Sequence, residues 1–404
     1  MRISPGEPLR VLVAYQDKTL FDVVSDARLE IQRAFDPARP PRMIVLPCSR
    51  LDRSFTQTAH TLPPEAWRDV AVIFDGSAEG QEPPGKYLRR LKSFIAERGL
   101  EEARCGFVTQ NRRLNWRELE VRIFHYDYWF RRLFSWSQAD GEAMFERGLE
   151  RFRARPGRRP KRYLSLNFTA RQEKLLFLLS LLRDGLWDQG HVSFGGFQHL
   201  ERARGRSLDD IREELLQTPG FEDLAAGLVG RLPELDAKGP ILFGKLKPRQ
   251  GEFKGARKPL SSMIFAQFDQ SWFSATTETE MAVKLDRITE KSFKALLNFH
   301  PQVVLGNPGT LGRLKAFGFE SFAGEIDQSY DLESDPRRRF DMAYREIVRL
   351  CRMDEDELGR VEQRLSEVLI ANARWGLVGF PQEYRKRWDP EIISSLLELL
   401  PARS

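Results

Sequence analysis

Cysteine is scarce in this chain of 404 residues: Cys48, Cys105 and Cys351 are odd in number and far apart, which excludes a disulfide framework and predicts a reducing, cytoplasmic setting. No apolar run approaches the length needed to cross a bilayer, so a membrane-spanning protein is excluded and peripheral membrane contact alone stays open. The opening residues, Met1 to Pro8, lack the basic-then-apolar pattern of a signal peptide. An excess of one charge sign is also missing: 64 basic against 58 acidic residues leave only +6. Neither basic run is interleaved with aromatics as a strand-binding groove requires, so no nucleic-acid partner is expected. No internal repeat of fixed period is found. No Cys or His stands at metal-ligand spacing from His125, and no paired Asp-x-Asp ends a strand. Asp354-Glu355-Asp356 has the spelling but reads as a surface charge cluster in a helical stretch. No metal and no cofactor are expected.

What is present is an α/β pattern. The length predicts two domains, and short apolar runs at Leu9 to Tyr15, Met43 to Leu46, Val70 to Phe74 and Cys105 to Thr109 read as strands of a mainly parallel sheet. A helical pattern through Phe21, Val24 and Leu29 follows the first of these, and a helix through Tyr87, Leu91 and Ile95 precedes the last. The third run ends in Asp75-Gly76-Ser77-Ala78-Glu79, at the strand end where open α/β sheets place ligands. The aromatic cluster in Val121 to Trp136 reads as core packing ahead of a sugar-stacking platform. Arg151 to Arg162 holds seven basic residues, two prolines and one glycine with no acid, and reads as a linker. The resulting partition is a domain over 1–150, a linker over 151–162, a second domain over 163–380, and a terminal helix over 381–404 that packs back on the first domain.

In the second domain a strand over Tyr163 to Leu166 leads through Asn167-Phe168-Thr169-Ala170 and Arg171 into an apolar helix. A polar turn between a buried strand and a helix start, flanked by arginine, is a pyrophosphate-binding geometry, although this one lacks the glycines of a phosphate loop. Lys245 to Lys258, with six basic residues and one acid, reads as an exposed loop. A strand over Trp272 to Ala275 ends in Thr276-Thr277-Glu278-Thr279. Arg287 to Gly306 then gives a helix capped by Thr289, followed by a buried strand at Val303 to Leu305. Glu290 and Lys291 fall in the first helical turn, where backbone N–H groups and the helix dipole favour an anion. The competing reading makes Glu290 a helix-start stabiliser and Lys291 a solvated charge. Gly318 to Phe322 reads as a further strand, Asp327 to Asp331 as an acidic loop with Tyr330 at its tip, and the rest as helix.

Tyr163-Leu164-Ser165-Leu166-Asn167 with Arg171, then Glu278, then Ile288-Thr289-Glu290-Lys291-Ser292-Phe293-Lys294-Ala295-Leu296 and Pro301-Gln302-Val303-Val304-Leu305-Gly306 carry a resemblance. Over residues 160 to 335 the chain resembles the donor-binding half of the α-1,3-fucosyltransferases and their bacterial polysaccharide-biosynthesis relatives. That resemblance implies the GT-B arrangement, α/β with two Rossmann-like domains facing across a cleft, here with a helical C-terminal segment. It also implies an inverting glycosyltransferase that moves a sugar from a nucleotide sugar, GDP-fucose by default, to a glycan or lipid-linked saccharide. The Asn167 turn and Arg171 match the segment that grips the donor pyrophosphate, Glu290 the residue on the ribose hydroxyls, Lys291 the one on the diphosphate, and Glu278 one facing the donor sugar. The chain departs from the pattern in having Glu278-Thr279 where the family has Glu-Asn-Ser, and Asn298-Phe299-His300 where a small-residue run is usual.

Chemically, Arg171 and Lys291 could neutralise a departing nucleoside diphosphate without a metal. An inverting transfer needs a general base from the first domain, for which Asp75 and Glu79 lead and Asp17 follows. The alternative is a catalytically silent GT-B-like protein that binds a nucleotide or glycan.

Overall fold

A computed structural model of the chain describes residues 8–13, 19–22, 24, 26–48, 61–77, 85–116, 119–128, 131, 141–167, 171–197, 207–241, 243, 265–279, 281 and 286–400. Asp17, Glu79 and the Lys245 to Lys258 segment lie outside them. The protein is α/β, with two parallel sheets and a helical C-terminal region. It divides into two compact units, one formed by Met1–Trp136, Lys284–Arg287 and Pro381–Ser404, the other by Ser137–Val283 and Ile288–Phe380.

The first unit holds six strands: β1 (Leu9–Val13), β2 (Leu29–Gln32), β3 (Met43–Pro47), β4 (Ala71–Gly76), β5 (Cys105–Thr109) and β6 (Arg122–His125), in the order β2-β1-β3-β4-β5-β6. Every pairing is parallel. Strands β3, β4 and β5 are buried along their whole length, which is why they read as unbroken apolar runs rather than alternating ones. The Gly85–Glu97 helix covers one face through Tyr87, Leu91, Phe94 and Ile95. Leu29, expected in a helix, instead opens β2, and a 3-10 turn over Leu20–Asp22 replaces most of that helical pattern. With four residues exposing part of every side chain, β2 is an edge strand that lacks the apolar run by which the others are recognised.

The second unit holds β7 (Tyr163–Asn167), β8 (Gly190–Phe194), β9 (Phe273–Thr277) and β10 (Gln302–Leu305), all parallel, in the order β10-β9-β7-β8. The Gly141–Arg153 helix, expected in the first domain, belongs here: Phe145 and Phe152 place their rings 5.8 and 5.3 Å from that of Phe299. The stretch read as a linker is therefore the end of a packed helix and a buried charge cluster. Arg155 bonds the carbonyls of Asn298 and Phe299 and pairs with Asp269, while Arg159 pairs with Glu362 and lies 4.1 Å over the Trp272 ring. Burial pushes the Arg155 pKa down, and Glu362 and Asp269 oppose the shift.

Two further expectations are corrected. Gly318 to Phe322 forms no strand; Gly318 takes φ +89°, and the Glu320 N–H and C=O pair with the Asn372 side chain instead of a neighbouring strand. Tyr330 is no loop tip: it is buried, and its hydroxyl accepts the Val304 N–H at 2.9 Å.

Candidate functional site

The chain leaves β7 for β8 on one side and then returns to place β9 and β10 on the other, so the strand order reverses between β7 and β9. Open parallel sheets bind ligands outside their carboxyl ends at such a reversal. Here the two strands also part. β7 pairs with β8 through five residues, but with β9 only through Tyr163 and Leu164. Beyond that point side chains bridge the gap: Ser165 Oγ donates to the Ala275 carbonyl at 2.7 Å, Asn167 Nδ2 to Ser165 Oγ at 2.8 Å, and Thr277 Oγ1 to Asn167 Oδ1 at 2.5 Å. A small cavity lined by Leu164, Leu166, Thr277 and Lys291, among others, occupies the parting.

Glu278 follows β9 and is 1% exposed. Its Oε2 accepts the Thr289 N–H at 3.1 Å and the Thr289 hydroxyl at 2.6 Å, and its Oε1 accepts the Ser292 hydroxyl at 2.6 Å. Thr289 is thus the N-cap of the Glu290–Leu297 helix without capping it through its own side chain; the carboxylate of Glu278 sits at that positive helix end instead. Gly306, just past β10, leaves room for this group, since a Cβ there would stand 3.3 Å from Glu278 Cβ and 3.2 Å from Thr310 Oγ1.

Three basic residues lie in the first turns of the two helices at this sheet edge. Arg171, half-buried, holds the N-cap position of the Gln172–Arg183 helix. Lys291 Nζ lies 3.3 Å from Thr289 Oγ1 and 3.4 Å from Thr279 Oγ1. Lys174, one turn beyond Arg171, is 3% exposed. Burial first, then Lys291 and Arg171, drive the Lys174 pKa well below its ordinary value, while Glu278 opposes the shift. Arg171 and Lys291 stand at the starts of two helices, where backbone N–H groups and the helix dipoles also favour negative charge, so the edge is suited to an anion. Asn307, 2% exposed and following Gly306, has neither its amide oxygen nor its amide nitrogen hydrogen-bonded among the described residues. Burying an amide in that state is costly unless something else meets it.

The structure thus brings Asn167, Arg171, Glu278, Thr289, Glu290 and Lys291 to one sheet edge. Their duties differ from those expected in two cases. Asn167 spends its amide on holding β7 to β9, and Glu278 spends its carboxylate on the helix start. Glu290 is 7% exposed and electrostatically favours the charged form of Lys294, whose pKa burial lowers. Asp75, expected as a base, is fully buried in the other unit, where Oδ2 accepts the Leu20 N–H at 2.6 Å and Oδ1 the Ser77 N–H at 2.9 Å. Glu79 lies outside the described residues. Lys174 and Asn307 escaped sequence reading. The signal for Lys174 was available: a lone lysine opening the apolar run Leu175 to Leu182, at one-turn spacing from Arg171.

Among the described residues no group of three or more His, Cys, Asp or Glu is placed to hold a metal ion, and no helix is long and apolar enough to cross a membrane. Comparison of the chain with protein-family models, with curated proteins and with solved structures returns no match.

Proposed function

We propose that the protein is an inverting, metal-independent glycosyltransferase whose second unit binds a nucleoside diphosphate sugar at the carboxyl edge of its sheet, with a glycan or lipid-linked saccharide as acceptor. The observation that carries this reading is the cluster of Arg171, Lys174 and Lys291 at the reversal between β7 and β9. In the proposed complex the donor diphosphate lies between Arg171 and Lys291. Arginine offers a fork of donors to two phosphate oxygens, and lysine adds a mobile point charge. As the glycosidic bond to the diphosphate breaks, negative charge builds on the leaving oxygen, and these fixed cations stabilise it more than they stabilise the ground state. Glu290, at the start of the same helix as Lys291, would take the ribose hydroxyls. Glu278 keeps that helix end in place.

A second reading, a catalytically silent protein that binds a nucleotide sugar, draws support from the carboxylates. Glu278 already accepts three hydrogen bonds and Asp75 holds two backbone amides, so each would have to exchange these partners before it could act as a base. Release of nucleoside diphosphate by the purified protein from GDP-, UDP- and dTDP-sugars, with a CMP-sugar as the control lacking a pyrophosphate, decides between them. Turnover of one diphosphate sugar supports the transferase; tight binding without turnover supports the silent protein. Binding of none refutes both.

A further inference from the structure

Arg337, Arg338 and Arg339 stand together near the start of the Pro336–Arg352 helix, and the structure treats them differently. Arg337 and Arg338 reach solvent, paired with Asp341 and Glu333, whereas Arg339 is buried. Every nitrogen of its guanidinium donates to a backbone carbonyl: Nε to Gly306 at 2.9 Å, Nη1 to Glu333 at 2.8 Å and Ser334 at 3.2 Å, and Nη2 to Met281. Two of these acceptors lie in the segments that leave the sheet at the candidate site. Met281 comes after Glu278 in the chain beyond β9, and Gly306 directly follows β10. Gly306 packs against Glu278 in turn, since a Cβ on the glycine would stand 3.3 Å from the Cβ and from the Cγ of the glutamate. Glu278 holds Thr289 and Ser292 at the start of the helix that carries Lys291. A continuous set of contacts therefore runs from Arg339 through Gly306 and Glu278 to that helix start. Arginine suits the task because its donors are spread over a rigid planar fork that can meet separate segments at once, whereas lysine offers its donors from one point.

We propose that Arg339 is a positioning residue of the donor site: it ties the chain beyond β9 to the chain beyond β10 and so fixes Glu278, and through Glu278 the helix start bearing Lys291, before any ligand arrives. The inference rests on the donor reading above and adds that the site is preorganised from behind by a buried arginine. The guanidinium nitrogens are engaged by carbonyls, so the residue acts through the backbone and not on the anion. A site held in this way is not ordered at the expense of binding free energy, and its affinity is higher for that reason.

Calorimetric titration of the full chain with GDP-fucose, UDP-glucose and dTDP-glucose, with urea unfolding alongside so that only folded protein is compared, tests the role. Arg339→Lys, which keeps the charge and loses the fork, should bind the donor preferred by the wild type about tenfold to a hundredfold more weakly, and Arg339→Ala should bind no better. A purely structural arginine would lower the urea midpoint and leave the affinity of the folded protein unchanged. Hydrogen exchange of the wild type needs no variant to fold: the amides of Glu278, Gly309, Leu311 and Gly312, which donate within the protein, should be protected before donor is added. Wild-type affinity in either folded variant, or protection of those amides that arises only with donor, overturns the proposal while leaving the donor site intact. If none of the sugar nucleotides binds to the wild type, the donor reading falls and takes this inference with it.

Discussion

Asp75 and Glu278 occupy equivalent places in the two sheets. Each follows or ends a buried parallel strand at its carboxyl edge, each is at most 1% exposed, and each has both oxygens in hydrogen bonds. Their partners separate them. Asp75 receives backbone N–H groups from Leu20, 55 residues away, and from Ser77, so it ties a turn to a strand end. Glu278 receives hydroxyl and backbone donors from the start of a helix and stands among Lys174, Lys291 and Arg171. A carboxylate at a strand end is therefore not a sufficient mark of a site. In the second unit the mark is the set of basic side chains on two helix starts, placed where two strands part.

The largest effect should come from removing one of these basic side chains. Lys291→Ala, and separately Arg171→Ala, should each cost about 2 to 4 kcal/mol of transition-state stabilisation in donor turnover, the range for one charge-stabilising donor. Steady-state kcat/KM for the preferred sugar nucleotide measures it, and a wild-type value in Lys291→Ala would remove the second unit's claim to the chemistry. Next are the carboxylates themselves. Glu278→Gln should lower stability to urea by about 1.5 to 3 kcal/mol, because it weakens charge-assisted hydrogen bonds to Thr289 and Ser292, and it should also shift the donor dissociation constant. Asp75→Asn places an amide group against the Leu20 and Ser77 N–H groups and should cost about 1 to 3 kcal/mol, with donor affinity unchanged. Were Asp75→Asn instead to keep full stability and lose about a hundredfold or more in transfer, Asp75 would be the general base after all.

The smallest effect has the opposite sign. The folded-state pKa of Lys174 lies below its unfolded value, so over the range beneath the unfolded lysine pKa the unfolded chain binds more protons, and stability contributed by this group rises with pH. Replacing it by an apolar residue of similar length should therefore stabilise the protein near neutrality. The gain should shrink as pH is raised toward the unfolded pKa of about 10.4. Thermal unfolding of Lys174→Met against wild type across that range checks both the sign and the trend.

Much of the fold was legible because parallel strands buried on both faces are written as short apolar runs: Met43–Pro47, Ala71–Gly76 and Cys105–Thr109 could be read directly. The edge strand Leu29–Gln32, half-exposed and mixed in polarity, could not. Composition misled at Arg151 to Arg162, where proline, glycine and basic residues imitate a linker. The acids that bury Arg155 and Arg159, Asp269 and Glu362, lie more than a hundred residues away and carry no local signal. The same limit governs the site. Arg171, Glu278, Glu290 and Lys291 could be singled out from strand ends and helix starts. That Glu278 would close on Thr289 and Ser292, that Lys174 would face Lys291, and that Asn307 would be buried with an unmet amide depend on how β7, β9 and β10 come together.

The central claim, that the cations at the reversal between β7 and β9 hold the diphosphate of a sugar nucleotide, is tested most directly by thermal shift. Wild type and Lys291→Ala are to be compared in a panel of GDP-, UDP- and dTDP-sugars, with a CMP-sugar as control. A ligand at about a hundred times its dissociation constant stabilises the native state by about 2.7 kcal/mol, which a melting curve resolves. The account predicts that at least one diphosphate sugar raises the wild-type melting temperature, that the CMP-sugar does not, and that Lys291→Ala loses most of the shift. A panel without any shift, or an equal shift in Lys291→Ala, would contradict it.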